Sequence, residues 1–150
     1  DQQLLDHTHR DLRRARAGAQ NLIPTTSSSI GAVQKVLPQL HGRIQGYSLR
    51  VPTLNVAMVD LAIRFRELPA IETLHAQMAQ AARGPLQGLL GYCNEPLVSS
   101  DFNHRESAIF DATQTTTVGD MVKIAAWYDN EWGYANRLLD LLKALEPDTV

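Results

Sequence analysis

The stretch Met121–Leu145, MVKIAAWYDNEWGYANRLLDLLKAL, decides how the rest of the chain reads. Its first part, Met121–Trp127, is apolar apart from Lys123 and predicts a buried strand. In its second part Ala135, Leu138, Leu139, Leu142 and Leu145 recur at helical spacing, which predicts a helix with one apolar face. Tyr128-Asp129-Asn130-Glu131 lies between the two. Asp129 is placed to cap the helix, and Glu131 puts a negative charge in its first turn, where the dipole favours one. Pro147 closes the helix just past its end. A strand that runs directly into a helix N-terminus fixes polar side chains beside N–H groups that have no intrahelical partner.

The bulk numbers set limits around this element. A chain of 150 residues suits one domain with a real core. Fourteen Lys and Arg against sixteen Asp and Glu leave a net charge of -2, which argues against a generic nucleic-acid binder. No apolar run reaches membrane length, and the first residues lack the basic-then-apolar layout of a signal peptide. A single cysteine excludes an intrachain disulfide, so a reducing cytoplasm is the simplest compartment. The chain opens at Asp1 without a methionine and contains no G-x-G-x-x-G, which reads as a fragment.

Upstream of the opening stretch, His7, His9, Arg10, Arg13, Arg14 and Arg16 crowd one polar segment. That composition fits a solvated loop, and no aromatic residues interleave the arginines as a nucleic-acid surface would need. The histidines lack a compact carboxylate or cysteine partner, so no metal site is expected. Asn21–Pro24 predicts a short strand, and the hydroxyl run Thr25–Ser29 precedes a short helix with Ile30, Val33 and Leu37 on one face. Hydroxyls in that place either cap the helix or, with its N-terminal N–H groups, hold an anion. Tyr47–Val51 and Val56–Phe65 predict two strands joined by a Pro52 bend, with Ala57, Val59, Leu61, Ile63 and Phe65 sharing a face. Ile71–Arg83 predicts an amphipathic helix with Ile71, Leu74, Met78 and Ala82 inward, and Leu86–Tyr92 a further helical turn. Leu97–Phe102, Ala108–Ala112 and Thr113–Val118 predict strands, with a Gly119-Asp120 turn leading back to Met121. Strands cluster between helices without regular βαβ alternation. The expected fold class is therefore α+β, a mostly antiparallel or mixed sheet with helices on one face and a long C-terminal helix.

WYDNEWGYANRLLDL resembles the C-terminal signature of phosphorylating aldehyde dehydrogenases, the glyceraldehyde-3-phosphate dehydrogenase superfamily. DLRRARAGAQNLIP, YSLRVPTLNVAMVDL and LVSSDFN resemble the same family in the same order, so the resemblance spans nearly the whole chain. NVAMVDL, DFNH and SAIFDATQT are more similar to the erythrose-4-phosphate dehydrogenase branch than to the glycolytic one. The link Asn103–Ser107 is about two residues shorter than the usual family form.

The resemblance implies a catalytic domain, 1–150, without the family's N-terminal Rossmann domain, nucleophilic cysteine and catalytic histidine. No catalytic residue is therefore expected in this chain, and the chain alone is expected to be inactive. Cys93 lies outside the family's nucleophile motif and reads as a small packing residue. The implied substrate-phosphate ligands are Arg50 of the RVPT motif, Arg14 of the LRR run, and Ser27 and Ser28 where the glycolytic enzymes have Thr-Gly. A guanidinium fork suits phosphate oxygens. Asn130 and Tyr134 are the implied contacts to the NAD cofactor, and Thr8 stands where NAD-specific members often have proline. The implied reaction oxidises D-erythrose 4-phosphate to 4-phosphoerythronate, toward pyridoxal phosphate, with glyceraldehyde 3-phosphate as the alternative substrate. The partners implied are a small phosphorylated aldose and further copies of the chain in a homotetramer, with no nucleic acid and no membrane. From another class, a non-catalytic oligomerisation module remains an alternative.

Overall fold

A computed structural model describes residues 2–145. Pro147, the expected helix stop, lies outside the described residues. The chain divides into two compact units, Asp1–Leu54 and Asn55–Val150.

In the first unit, β1 (Ile23–Thr25) is followed by α1 (Ser29–Val36), a 3-10 turn at Pro38–Leu40 and β2 (Ser48–Arg50). The two strands pair antiparallel, with Ile23 opposite Arg50 and Thr25 opposite Ser48. Residues 2–20 form neither helix nor strand, yet they are tied down. The Asp6 carboxylate accepts the Ala17 N–H at 2.7 Å and the Arg16 guanidinium at 3.1 Å. The Gln2 amide donates to the Arg14 and Arg16 carbonyls at 2.9 and 2.7 Å. The Ala17 N–H, helped by Arg16, holds the Asp6 carboxyl below its ordinary pKa.

In the second unit the chain runs β3 (Ala57–Arg64), α2 (Ile71–Arg83), β4 (Leu90–Cys93), a 3-10 turn at Ser99–Asp101, β5 (Ala108–Val118), β6 (Met121–Tyr128) and α3 (Asn130–Leu145). The sheet order is β3-β6-β5-β4. β4 and β5 are parallel and the other pairs antiparallel, so the sheet is mixed. The fold is α+β, as expected from strands that cluster between helices without regular βαβ alternation. β6 is central because it pairs on both sides, and Val122 within it is fully buried. Its one charge, Lys123, is satisfied by Asp60 of β3 at 2.9 Å. The hairpin from β5 turns at Gly119, whose φ of 58° suits a residue without Cβ.

Period-two alternation divides β5 between two packed faces. Phe110 meets His75 of α2 edge-on at 5.8 Å and stacks on Tyr92 at 5.8 Å. Ile109 faces the other way, into a cluster with Val56 and Phe102 that Cys93 and Trp127 complete. There the Phe102 and Trp127 rings stack 4.9 Å apart. Asp111 shares this face and is buried, and among the described residues no cation pairs with it. Its oxygens accept the Trp127 indole N–H at 2.9 Å, the Thr113 hydroxyl at 2.6 Å and the Thr113 N–H at 3.0 Å, which satisfies the charge.

Several expectations are corrected. Leu97–Phe102 is not a strand, because the Asp101 carboxylate takes the Val98 N–H at 2.9 Å and closes a 3-10 turn instead. Leu86–Leu89 is a turn as read, but Leu90–Tyr92 is extended and pairs with β5 rather than continuing it. Ala108–Ala112 and Thr113–Val118 are one strand with an irregularity between Asp111 and Thr116. Val56 is not part of β3. Its φ is 66°, which a β-strand excludes. The apolar face of α3 exists but is exposed: Leu138, Leu139, Leu142 and Leu145 all keep much of their surface open.

Replacing Phe110 by alanine removes the side chain shared by α2, β4 and β5. It is expected to cost about 3–5 kcal/mol, against less than about 0.5 kcal/mol for the exposed Val118→Ala. Equilibrium denaturation of both variants checks this.

Candidate functional site

The β6–α3 junction is built around one carboxylate. The ladder of β6 with β3 extends to Tyr128, opposite Ala57. The next residue, Asp129, is buried, and its Oδ1 accepts the N–H groups of Glu131 at 3.1 Å and Trp132 at 3.0 Å. Those are two of the donors that every helix start leaves unpaired. Its Oδ2 accepts the Asn55 carboxamide N–H at 2.8 Å. The Trp132 N–H, with the Asn55 and Glu131 donors, holds the Asp129 carboxyl below its usual value of 3.8, against the opposing effect of burial. The capping role thus falls to Asp129, as the sequence indicates.

Asn130 is left to point outward. It is the first residue of α3, exposed, and among the described residues its carboxamide has no hydrogen-bond partner. Tyr134 lies one turn on and is also exposed, so the two are neighbours along the helix surface. The first turn is held against the protein on its other side. Gly133 is buried, and a Cβ there would come within 3.3 Å of the Glu106 carbonyl oxygen. Arg137 donates to the Ser107 hydroxyl at 3.0 Å and the Gly88 carbonyl at 3.3 Å. Asp140 receives the same guanidinium at 2.7 Å.

The hydroxyl run and Arg50 both lie in the first unit, and Thr25 of the run shares a strand pair with Arg50. The Ser27 hydroxyl accepts the Ser29 N–H at 3.1 Å at the start of α1. Ser28 occupies the cap position, exposed, with no side-chain capping bond. The β1–β2 register sets Arg50 opposite Ile23, so its side chain shares a face with Ile23 and Thr25. Thr25 is buried, and among the described residues its hydroxyl lacks a hydrogen-bond partner. Such an orphan costs about 1–3 kcal/mol unless a ligand or water satisfies it. Arg14 is held separately in the 2–20 segment, where its guanidinium lies 3.6 Å from Asp11. Among the described residues, no group of three or more His, Cys, Asp and Glu side chains is placed to hold a metal ion. Among the described residues, no helix is long and apolar enough to cross a membrane.

Residues 1–130 match the family model described as glyceraldehyde 3-phosphate dehydrogenase, C-terminal domain. The chain belongs to this family. It is 49% identical over 143 residues to glyceraldehyde-3-phosphate dehydrogenase 1 of Bacillus subtilis (strain 168), covering 94% of this chain and 43% of that protein. It is 48% identical over 146 residues to the chromosomal glyceraldehyde-3-phosphate dehydrogenase of Cupriavidus necator, covering 97% and 44%. With glyceraldehyde-3-phosphate dehydrogenase B, chloroplastic, of Pisum sativum the identity is 51% over 144 residues, covering 94% and 32%. The chain spans less than half the length of these curated relatives.

Two residues of this dehydrogenase-family domain escape sequence reasoning. Thr25 reads as one hydroxyl among five, and its burial without a partner is visible in three dimensions alone. Asn55 reads as part of a bend, although its partner Asp129 lies 74 residues away. Cys93 is half-buried against the Val56–Phe102–Ile109 cluster. Its sulfur contacts the Glu95 backbone N–H and carbonyl at 3.4 and 3.5 Å.

A carboxylate with a depressed folded pKa adds stability that is complete above the unfolded value and is lost as pH falls through the folded one. Asp129→Ala is therefore expected to cost about 0.5–2 kcal/mol near neutral pH through the lost cap. The gap from the parent should narrow as pH drops below 3.8. Denaturant melts at stepped pH measure it, and a gap that stays constant with pH would remove the charge from the account.

Proposed function

We propose that this chain supplies the substrate-anchoring and nicotinamide-facing side chains of an NAD-dependent aldehyde dehydrogenase whose substrate is a phosphorylated aldose. The match of residues 1–130 to the family, with relatives named glyceraldehyde-3-phosphate dehydrogenase, is the observation that carries this reading. Those names favour glyceraldehyde 3-phosphate as substrate over erythrose 4-phosphate. The erythrose branch keeps the support of NVAMVDL, DFNH and SAIFDATQT. Assembly as a homo-oligomer and a cytoplasmic location belong to the same proposal.

The geometry supports the roles in physical terms. Arg50 offers a guanidinium on the face it shares with the orphaned Thr25 hydroxyl. Ser27 and Ser28 stand at the start of α1, where N–H groups and the dipole favour an anion. A substrate phosphate can take its hydrogen bonds from these groups. Arg14 belongs to the same proposal through the LRR motif, and its pairing with Asp11 must yield for it to take part.

The residues at α3 fit the nicotinamide end of NAD. Asn130 presents a side chain that both donates and accepts, with neither function used among the described residues. It can pair with a carboxamide and hold the ring in one rotation, while Tyr134 flanks it. When bound, NAD supplies the hydride acceptor. The protein's part is to fix which face of the ring is offered.

NAD reduction by the complete protein, with glyceraldehyde 3-phosphate and erythrose 4-phosphate compared, tests the substrate. A higher kcat/KM for the three-carbon aldehyde is expected, and a clear preference for the four-carbon one would favour the erythrose branch. In the same assay Arg50→Ala should lower kcat/KM for the phosphorylated aldehyde by roughly tenfold or more, the size of one charge-assisted hydrogen bond. It should leave the unphosphorylated aldehyde nearly unchanged, and equal losses on both would sink the phosphate role.

A further inference from the structure

The bond from Asn55 to Asp129 does more than a helix cap requires. Capping uses one carboxylate oxygen, and Oδ1 of Asp129 already takes both the Glu131 and Trp132 N–H groups. Oδ2 is held independently, at 2.8 Å, by Asn55. With each oxygen engaged by a different partner, turning the carboxylate plane would break a hydrogen bond. Asn130 follows directly, between a carboxylate fixed at both oxygens and a first helical turn packed against the Glu106 carbonyl through Gly133.

The backbone beside Asn55 is arranged to make that bond. Val56 has a φ of 66°, in the left-handed region that a residue branched at Cβ rarely enters. Its side chain is nevertheless buried, in a cluster with Phe102 and Ile109. β3 starts at the next residue, Ala57, paired with Tyr128 at the end of β6. The left-handed step therefore falls where the β3–β6 ladder ends, and the residue before it reaches the residue after β6. An unusual backbone conformation at a buried residue, next to a functional element, points to a constrained geometry rather than a loop accident.

We propose that Asn55 is a positioning residue for the nicotinamide end of the cofactor site, acting through Asp129 on Asn130. This rests on the reading that Asn130 meets the cofactor carboxamide. Asn55 itself need not touch the cofactor. Its work is to narrow the orientations available to the start of α3, so that the Asn130 carboxamide is already in place when nicotinamide arrives. Preorganisation of this kind shows as affinity for the positioned group and not for the rest of the ligand.

The test measures equilibrium binding of NAD and of ADP-ribose, which lacks the nicotinamide, to the complete protein. Asn55→Ala, Asn130→Asp and their double variant are compared with the parent, and Asn55→Ser is run alongside as a milder truncation too short to span to Asp129. The expected result is an NAD affinity about tenfold weaker in Asn55→Ala and Asn55→Ser, the scale of one hydrogen bond, with ADP-ribose affinity unchanged. In the Asn130→Asp background, removing Asn55 should then have little further effect on NAD, because the group being positioned is already impaired. If Asn130→Asp weakens NAD binding while both Asn55 variants bind NAD normally, the positioning role is overturned and the cofactor reading stands. If the Asn55 variants lose NAD and ADP-ribose equally, the residue is structural and the proposal fails. If Asn130→Asp leaves NAD binding intact, the cofactor reading itself fails and this inference goes with it.

Discussion

The second unit depends on the carboxylate of Asp129. A strand that passes into a helix without a loop must stop one hydrogen-bonding pattern and start another within a residue or two. The N–H groups of the new helix have no intrahelical partners there, and the residue at the boundary, Asp129, is buried. Asp129 resolves both problems with one side chain, taking Glu131 and Trp132 on one oxygen and Asn55 on the other. The charge is tolerated in a buried position because each of these donors favours the ionised form. Because Asp129 does the capping, Asn130 is free to face outward.

The same logic of complete satisfaction recurs at Asp111, and its failure marks a different place. Asp111 is buried, and Trp127 and Thr113 supply donors to both of its oxygens, so it ties β5 to β6. Thr25 is buried beside Arg50's face of the β1–β2 pair with a hydroxyl that lacks a partner among the described residues. A folded protein leaves few such groups unsatisfied. His75, Glu106 and Thr115 also carry buried side-chain atoms without a hydrogen-bond partner among the described residues, so Thr25 is singled out by the face it shares with Arg50 and not by its burial alone.

Much of this was legible in the chain. The β6–α3 boundary, the Asp129 cap, the α2 face and the Gly119 turn all follow from local spacing, capping chemistry and turn residues. The misreadings share a cause, which is that long-range partners override local preference. Leu97–Phe102 has strand-forming residues at its ends, but the Asp101 side chain closes a turn on Val98. Leu90–Cys93 becomes a strand because β5 is there to pair with it. Valine at position 56 favours strands by composition, and nothing in its neighbours announces a positive φ. In the fold Val56 is buried with Phe102 and Ile109, residues far along the chain. The apolar face of α3 is correctly read from its period, but a period cannot say whether a face is covered.

On the proposed reading, the Asp129 junction holds Asn130 ready for a carboxamide. A crystal structure of the complete protein with NAD bound tests it most directly. The Asn130 side chain is expected within roughly 2.7–3.2 Å of the nicotinamide carboxamide, with the Asn55–Asp129 bond and the left-handed Val56 retained. A bound nicotinamide whose carboxamide is held by other groups, with Asn130 in solvent, would contradict it.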